Sequence, residues 1–183
     1  MIGVLDILLF QVLVGGMALG MFRGLIRQTL SVLILYIAVV LAAMSYGWFA
    51  ARIGAMVSNP NALSSSVAFL MLLVLLAASL EAMIQKTYPR LEWKALGGLN
   101  PLGGMLSGFI WAVVTTTCFL IALNFALNGG NWGPIEGTRR LLFNATEHSA
   151  LVAIYRSAFP VLSQALSPFF PHGLPPLFVP PPI

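Results

Sequence analysis

Between Asp6 and Arg52 the chain carries only two charged side chains, Arg23 and Arg27. An apolar run from Ile2 to Phe22 precedes them, and another from Thr29 to Ala51 follows. A helix of about 20 apolar residues is long enough to cross the hydrocarbon core of a bilayer. Two such runs, joined by a few residues with two arginines, read as a transmembrane helical hairpin with a cytoplasmic turn. Gly24, between the arginines, can take the left-handed backbone that ends a helix, so the chain is expected to reverse there.

The rest of the composition agrees. The chain is 59% apolar and only 8% charged, whereas an ordinary soluble domain is about 25% charged. Too few charged groups remain to cover a soluble surface, so the fold class is all-α, a polytopic membrane protein. The net charge of +4 is not a nucleic-acid footprint, because the arginines sit at segment ends and form no basic face. The expected partner of these charges is the lipid bilayer with its anionic headgroups, and no nucleic acid. Cys118 is the single cysteine; it lies in an apolar run, can form no internal disulfide, and reads as inert packing. The N-terminus has no basic n-region and no small-residue cleavage site, so the first segment is expected to be retained.

Four spanning helices are expected. The first covers Ile2–Phe22. Asp6 lies in its first turns, where the helix dipole favours an anion, and reads as an anchor at the membrane surface. Gln11 falls near the midplane, where its amide should face another helix because lipid offers it no partner. Gly16, Gly20 and Gly24 recur every four residues and form one smooth stripe. The second helix runs over Gln28–Ala51, with Tyr46 and Trp48 as an interfacial belt at its far end. Ser58-Asn59-Pro60-Asn61 is a turn cluster, and the third helix covers Ala62–Ile84, with Glu81 in its last turns. Gln85–Asn100 carries Lys86, Arg90 and Lys94 against Glu92, and Pro89 is placed to open a short surface helix. The fourth helix runs over Pro101–Leu127. Its Gly104, Gly108, Ala112 and Thr116 make a second small-residue stripe, which pairs either with the first stripe or with its copy in another subunit.

Three regions result: a four-helix transmembrane domain over 1–127, a periplasmic amphipathic helical segment over 128–170, and a Pro-rich tail over 171–183. In the second, Trp132 is placed for the interface, and Asn144-Ala-Thr-Glu147 has the spacing of a capping box that opens a helix. Pro160 should end that helix or start another. These pieces are too short and amphipathic to span, so they are expected to lie on the membrane or cap the bundle. The tail should be extended polyproline or disordered. Five basic side chains lie in the two loops assigned to the cytoplasm, against three on the other side, which places both termini in the periplasm.

Two charges sit unfavourably. Arg27 lies at the N-terminal end of the second helix and Glu81 at the C-terminal end of the third, each against the dipole. A mutual ion pair between Arg27 and Glu81 would offset both costs. The alternative is Arg27 on lipid phosphate and Glu81 beside Lys86.

Asp6, then Arg23-Gly24-x-x-Arg27 with Ser31 leading into the second helix, resembles the colicin V production protein (CvpA-type) family. Its Gly-rich start to the fourth helix is here Gly97-Gly98-Leu-Asn-Pro-Leu-Gly103-Gly104-Met-Leu-Ser-Gly108. A serine before an apolar tail helix, here Ser149 onward, is also family-like. The chain departs from the pattern at Gln28, where an acidic residue is usual, at Asn100-Pro101, where Asp-Arg is usual, and at Trp111, where an arginine is usual. The resemblance implies a bacterial inner-membrane protein linked to toxin (colicin V) production or export and to envelope homeostasis.

No catalytic constellation stands out. Ser107 between glycines, with His148 far along the chain, lacks the strand–turn–helix setting of a nucleophile elbow. His148 and His172 have no metal-ligand spacing, and one cysteine makes no thiolate cluster. No cofactor or metal is expected. Two function classes remain: a non-enzymatic accessory protein, working as a homo-oligomer or with an envelope or export partner, and a small oligomeric channel or transporter. In the second, Gln11, Glu81, Thr115-Thr116-Thr117 and Asn124 would line a path. The near-terminal position of the acidic residues and the lack of inverted repeats or broken midplane helices favour the first.

Overall fold

The computed structural model describes residues 3–57, 62–87, 99–129, 132, 136–171 and 173–179. The described residues contain no strand. Four long helices come first: α1 (Val4–Arg23), α2 (Leu25–Val57), α3 (Ala62–Thr87) and α4 (Leu99–Asn128). Two shorter ones follow, α5 (Glu136–Glu147) and α6 (Ala150–Leu166), with single 3-10 turns at Ser167–Phe169 and Pro176–Phe178. Each of the first four contains a span long and apolar enough to cross a membrane. The turn at Ser58–Asn61 and the surface helix expected after Pro89 lie outside the described residues.

α2 is the central helix. Its Leu35, Val39 and Tyr46 pack with Phe69 and Leu73 of α3 and with Cys118 and Ile121 of α4. Ala38 and Ala42 are fully buried on the same helix, where their small side chains bring the neighbouring helices close. The rings of Tyr46 and Phe69 meet edge to face, 6.3 Å apart, a preferred aromatic geometry. α1 stands at the margin and packs chiefly on α4. Its other faces leave Val4, Leu8, Phe10 and Phe22 exposed.

The C-terminal region departs from expectation in three places. Asn144–Glu147 does not open a helix; it is the end of α5. The next helix starts after Ser149, whose hydroxyl accepts from the Val152 amide at 3.1 Å. The apolar face begins only there, with Leu151, Val152 and Tyr155, so burial selects the later cap. Pro160 neither ends nor begins a helix but lies within α6. Leu162 and Leu166, both buried, anchor the half beyond it, and Pro160 faces outward, where the missing N–H costs least. The third departure is the tail. Pro176–Phe178 turns back onto the bundle, Leu177 and Phe178 are buried, and the Phe178 ring meets Phe69 edge to face at 5.4 Å.

α6 packs obliquely across α4, from the start of α1 to the middle of α2. At its far end the Tyr36 hydroxyl donates to the Ala165 carbonyl. At 1.5 Å rise per residue, Tyr36 lies roughly 10 Å nearer the α1–α2 turn than Asp6 does. α6 therefore descends along the bundle.

Candidate functional site

Polar side chains gather at two levels. At the first, α1 and α2 are separated by Gly24 alone, with φ +79°. Its amide donates to the Gly20 carbonyl at 3.0 Å and closes α1. The first amide of α2, at Leu25, donates to Oδ1 of Asn100 at 2.8 Å. A helix N-terminus leaves such amides without intrahelical acceptors, so Asn100 caps α2 from the start of α4. A Cβ on Gly24 would sit 2.8 Å from the Asn100 amide group. Glycine is thus required here both for its backbone angle and for the space. The Asn100 amide oxygen performs the acceptor role that a carboxylate would.

The ion pair at this level is not the expected one. Glu81 pairs with Arg23, Nη1 to Oε1 at 2.9 Å, and not with Arg27. Because the turn is one residue long, the arginines belong to different helices. Arg23 ends α1, where the dipole favours a cation, and reaches α3. Arg27 lies in the first turn of α2 and is exposed. The same Glu81 oxygen lies 3.3 Å from Nε2 of Gln85 and 3.5 Å from the Ser31 hydroxyl, which also lies 3.2 Å from the Arg27 carbonyl. One turn before Ser31, Gln28 is buried and its Oε1 has no partner among the described residues. Between α2 and α4 the hydroxyls of Thr29 and Ser107 lie 3.1 Å apart.

Behind this end runs the glycine seam. Gly16 faces Gly108 and Ala112, Gly20 faces Gly104 and Gly108, and Gly24 faces Asn100 and Gly104. A Cβ added to Gly20 or Gly104 would collide with the other's carbonyl oxygen, and one on Gly16 would lie 2.6 Å from the Ala112 methyl and 2.9 Å from the Gly108 carbonyl. The hydrogen that replaces each Cβ points at a facing carbonyl, the arrangement of Cα–H···O contacts between helices. The two stripes of small residues therefore meet within one chain.

The second level lies at the start of α1. Asp6, in the first turn of α1, is buried against its neighbours, 5% exposed. Its Oδ2 accepts from the Gly3 amide at 2.9 Å. Its Oδ1 accepts from the Ser149 hydroxyl at 2.6 Å and the Leu151 amide at 3.0 Å. One carboxylate thus closes the N-termini of both α1 and α6, where positive dipole ends favour it. Nearby, α4 ends on side chains from the α5 region. Nε1 of Trp132 donates to the Ala126 carbonyl at 3.0 Å, and Nη1 of Arg139 donates to the Leu127 carbonyl at 2.8 Å. Arg139 also pairs with Glu136 at 2.7 Å. That hydrogen bond, followed by one from the Trp132 amide, holds the Glu136 carboxyl below its ordinary range.

The remaining polar residues singled out from the sequence do not converge. Gln11 faces outward instead of another helix of this chain. Thr115 and Thr117 donate to the carbonyls of Trp111 and Val113, one turn earlier in their own helix. Asn124 accepts from Asn128. Nδ1 of His148 lies 2.8 Å from the Asn144 carbonyl, at the opposite end of the bundle from Ser107. No cluster of three or more His, Cys, Asp or Glu side chains able to hold a metal occurs among the described residues. The sequence reading missed the Asp6–Ser149 contact and the Asn100 cap. Asp6, Ser149 and Asn100 were visible as cap-type residues, but nothing local joins groups 143 or 75 positions apart.

No curated protein and no solved structure matches the chain. A family model described as colicin V production protein matches residues 5–154. That stretch runs from the residue before Asp6, through the Gly24 turn and the glycine seam, into α6. With four membrane-length helices and a match over most of its length, the chain is a multi-pass membrane protein that belongs to the colicin V production protein family.

Proposed function

We propose that this protein is a non-enzymatic scaffold of the bacterial inner membrane that supports toxin export and envelope homeostasis, with both termini in the periplasm. The observation that carries this reading is how its polar side chains are used. Arg23–Glu81, Asn100–Leu25 and Asp6–Ser149 each tie one helix to another. A transporter needs polar groups at its midplane that face a path. Of the candidate path residues, Gln11 points outward, Thr115, Thr117 and Asn124 bond within their own helix, Glu81 is consumed in a tie, and Thr116 is buried without bonding its own helix. Arg27, exposed beside the α1–α2 turn, suits an anionic headgroup on the cytoplasmic face.

Gln28 favours the second reading, a small channel or transporter, since its buried Oε1 lacks a partner among the described residues. Reconstitution separates the two. Purified protein in liposomes should give no ion flux above protein-free vesicles, and crosslinking in native membranes should recover an envelope or export protein. Reproducible flux abolished by Gln28→Leu would replace the scaffold with the channel. For orientation, with Cys118 replaced, Ser58→Cys should be labelled by a membrane-impermeant thiol reagent in intact spheroplasts and Thr87→Cys should not. The reverse pattern would invert the topology.

A further inference from the structure

α1 presents two opposite faces. One carries Gly16 and Gly20 against α4. At 3.6 residues per turn, Gln11 lies on the far side of the helix from them. It is exposed there, and among the described residues no side-chain hydrogen bond partners it. Gln11 is the eighth of the helix's 20 residues, about 4 Å from its middle. In a spanning helix that depth is hydrocarbon, which offers an amide neither donor nor acceptor.

The surroundings of Gln11 have a pattern. Val4, Leu8, Gln11, Gly15, Ala18 and Phe22 are spaced alternately four and three residues apart, the seam of a left-handed helix pair. None of the six is buried, and Val4 and Phe22 are 77% and 82% exposed. Large apolar side chains occupy the ends of the seam, and Gly15 and Ala18 follow Gln11 one and two turns on. A Cβ on Gly15 would meet nothing within 4 Å, so this glycine is not required by its own bundle. It leaves room for a second backbone beside the amide.

We propose that this face of α1 pairs with the same face of a second copy of the chain, joined by Gln11 amides across a two-fold axis. A primary amide donates and accepts, so two copies satisfy each other where a charged or donor-only group could not. Both copies enter the membrane in the same orientation, so the two α1 helices are parallel and Gln11 meets Gln11 at equal depth. A single polar residue in an apolar seam also fixes its register. The proposal does not depend on the scaffold reading, since a channel could be built on the same pair.

The test uses the full chain in native membranes with Cys118→Ala. Leu8→Cys and Ala18→Cys should each give an oxidative crosslink of twice the chain mass. Phe10→Cys and Met21→Cys, exposed on another side of α1, should not. Measured across lipid-to-protein ratios, Gln11→Leu should weaken dimerisation about 3- to 30-fold, the range for interhelical side-chain hydrogen bonds in membranes. Gln11→Asn should restore part of it. Because position 11 is exposed, Gln11→Leu should leave thermal unfolding of the detergent-solubilised monomer unchanged. Equal crosslinking at all four positions, none at any, or a product of another mass at Leu8 and Ala18 would overturn the proposal. So would unchanged dimerisation in Gln11→Leu.

Discussion

The α1–α4 seam and the centre around α2 join helices of one bundle by different means. At the seam, backbone meets backbone, and Gly20, Gly104 and Gly108 leave no room for one more carbon. In the centre, side chains interdigitate, with Phe69 held between Tyr46 and Phe178. Lipid is as apolar as leucine, so burying apolar side chains gains little between membrane helices. The seam draws on close dispersion contacts and Cα–H···O geometry. The centre draws on shape and aromatic packing, and its side chains can change rotamer to absorb a substitution. The seam has no such adjustable part.

That difference is most sharply broken by adding atoms where none fit. Gly20→Leu or Gly108→Leu should separate α1 from α4 and lower stability by about 3 kcal/mol, the upper part of the overpacking range. Thermal unfolding in detergent measures it, and unchanged melting in both variants would remove the seam's role. Removing volume from the centre should cost less. Phe69→Leu keeps most of the apolar bulk while losing two edge-to-face contacts, and should cost about 1–2 kcal/mol. A larger loss than for Gly20→Leu would reverse the ranking of the two regions.

The polar end of the seam gives a finer test. Arg23→Glu and Glu81→Arg should each lower stability by about 1 kcal/mol, since the pair is partly exposed. The double swap should recover part of the loss in a double-mutant cycle. Arg27→Glu, with no contact to Glu81, should show no coupling to Glu81→Arg. Coupling at Arg27 equal to that at Arg23 would restore the pairing expected from the sequence.

The smallest effect should appear at the end of α4, outside both regions. The Arg139 and Trp132 bonds depress the Glu136 carboxyl. A depressed acid stabilises the fold above its unfolded value, about pH 4.3 for glutamate. That stabilisation disappears as the pH falls through the lower folded value. Trp132 fluorescence should therefore shift only in acid, below about pH 4. Glu136→Gln should abolish the transition, and an identical acid transition in that variant would assign it to another group.

The helices were legible because their signal is local. Apolar length, Gly24 between two arginines, and small residues every four positions can each be read within one segment. The two stripes were legible as stripes, and the choice between a partner within the chain and one in another subunit was not. α4 settles it by running antiparallel to α1, so that Gly16, Gly20 and Gly24 meet Ala112 to Asn100 in reverse order. The pairing of Glu81 was misread because it depends on which side of a one-residue turn each arginine falls. With α2 starting at Leu25 instead of Gln28, Arg27 is a helical residue left exposed, and Arg23, at the end of α1, is the one that reaches Glu81.

By itself, the sequence determined that the chain must lie in a membrane, how many helices cross it, and which faces of α1 and α4 are smooth enough to touch. Those properties follow from composition and a 3.6-residue period, which each segment carries alone. Only the tertiary structure decided that Asp6 closes α6, that Asn100 caps α2, and that Phe178 of a proline-rich tail fills a place beside Phe69. Hydrogen bonds and ring contacts act within a few ångströms and carry no trace along the chain. Where partners lie 75, 109 or 143 residues apart, the packing of the helices between them is what brings them together.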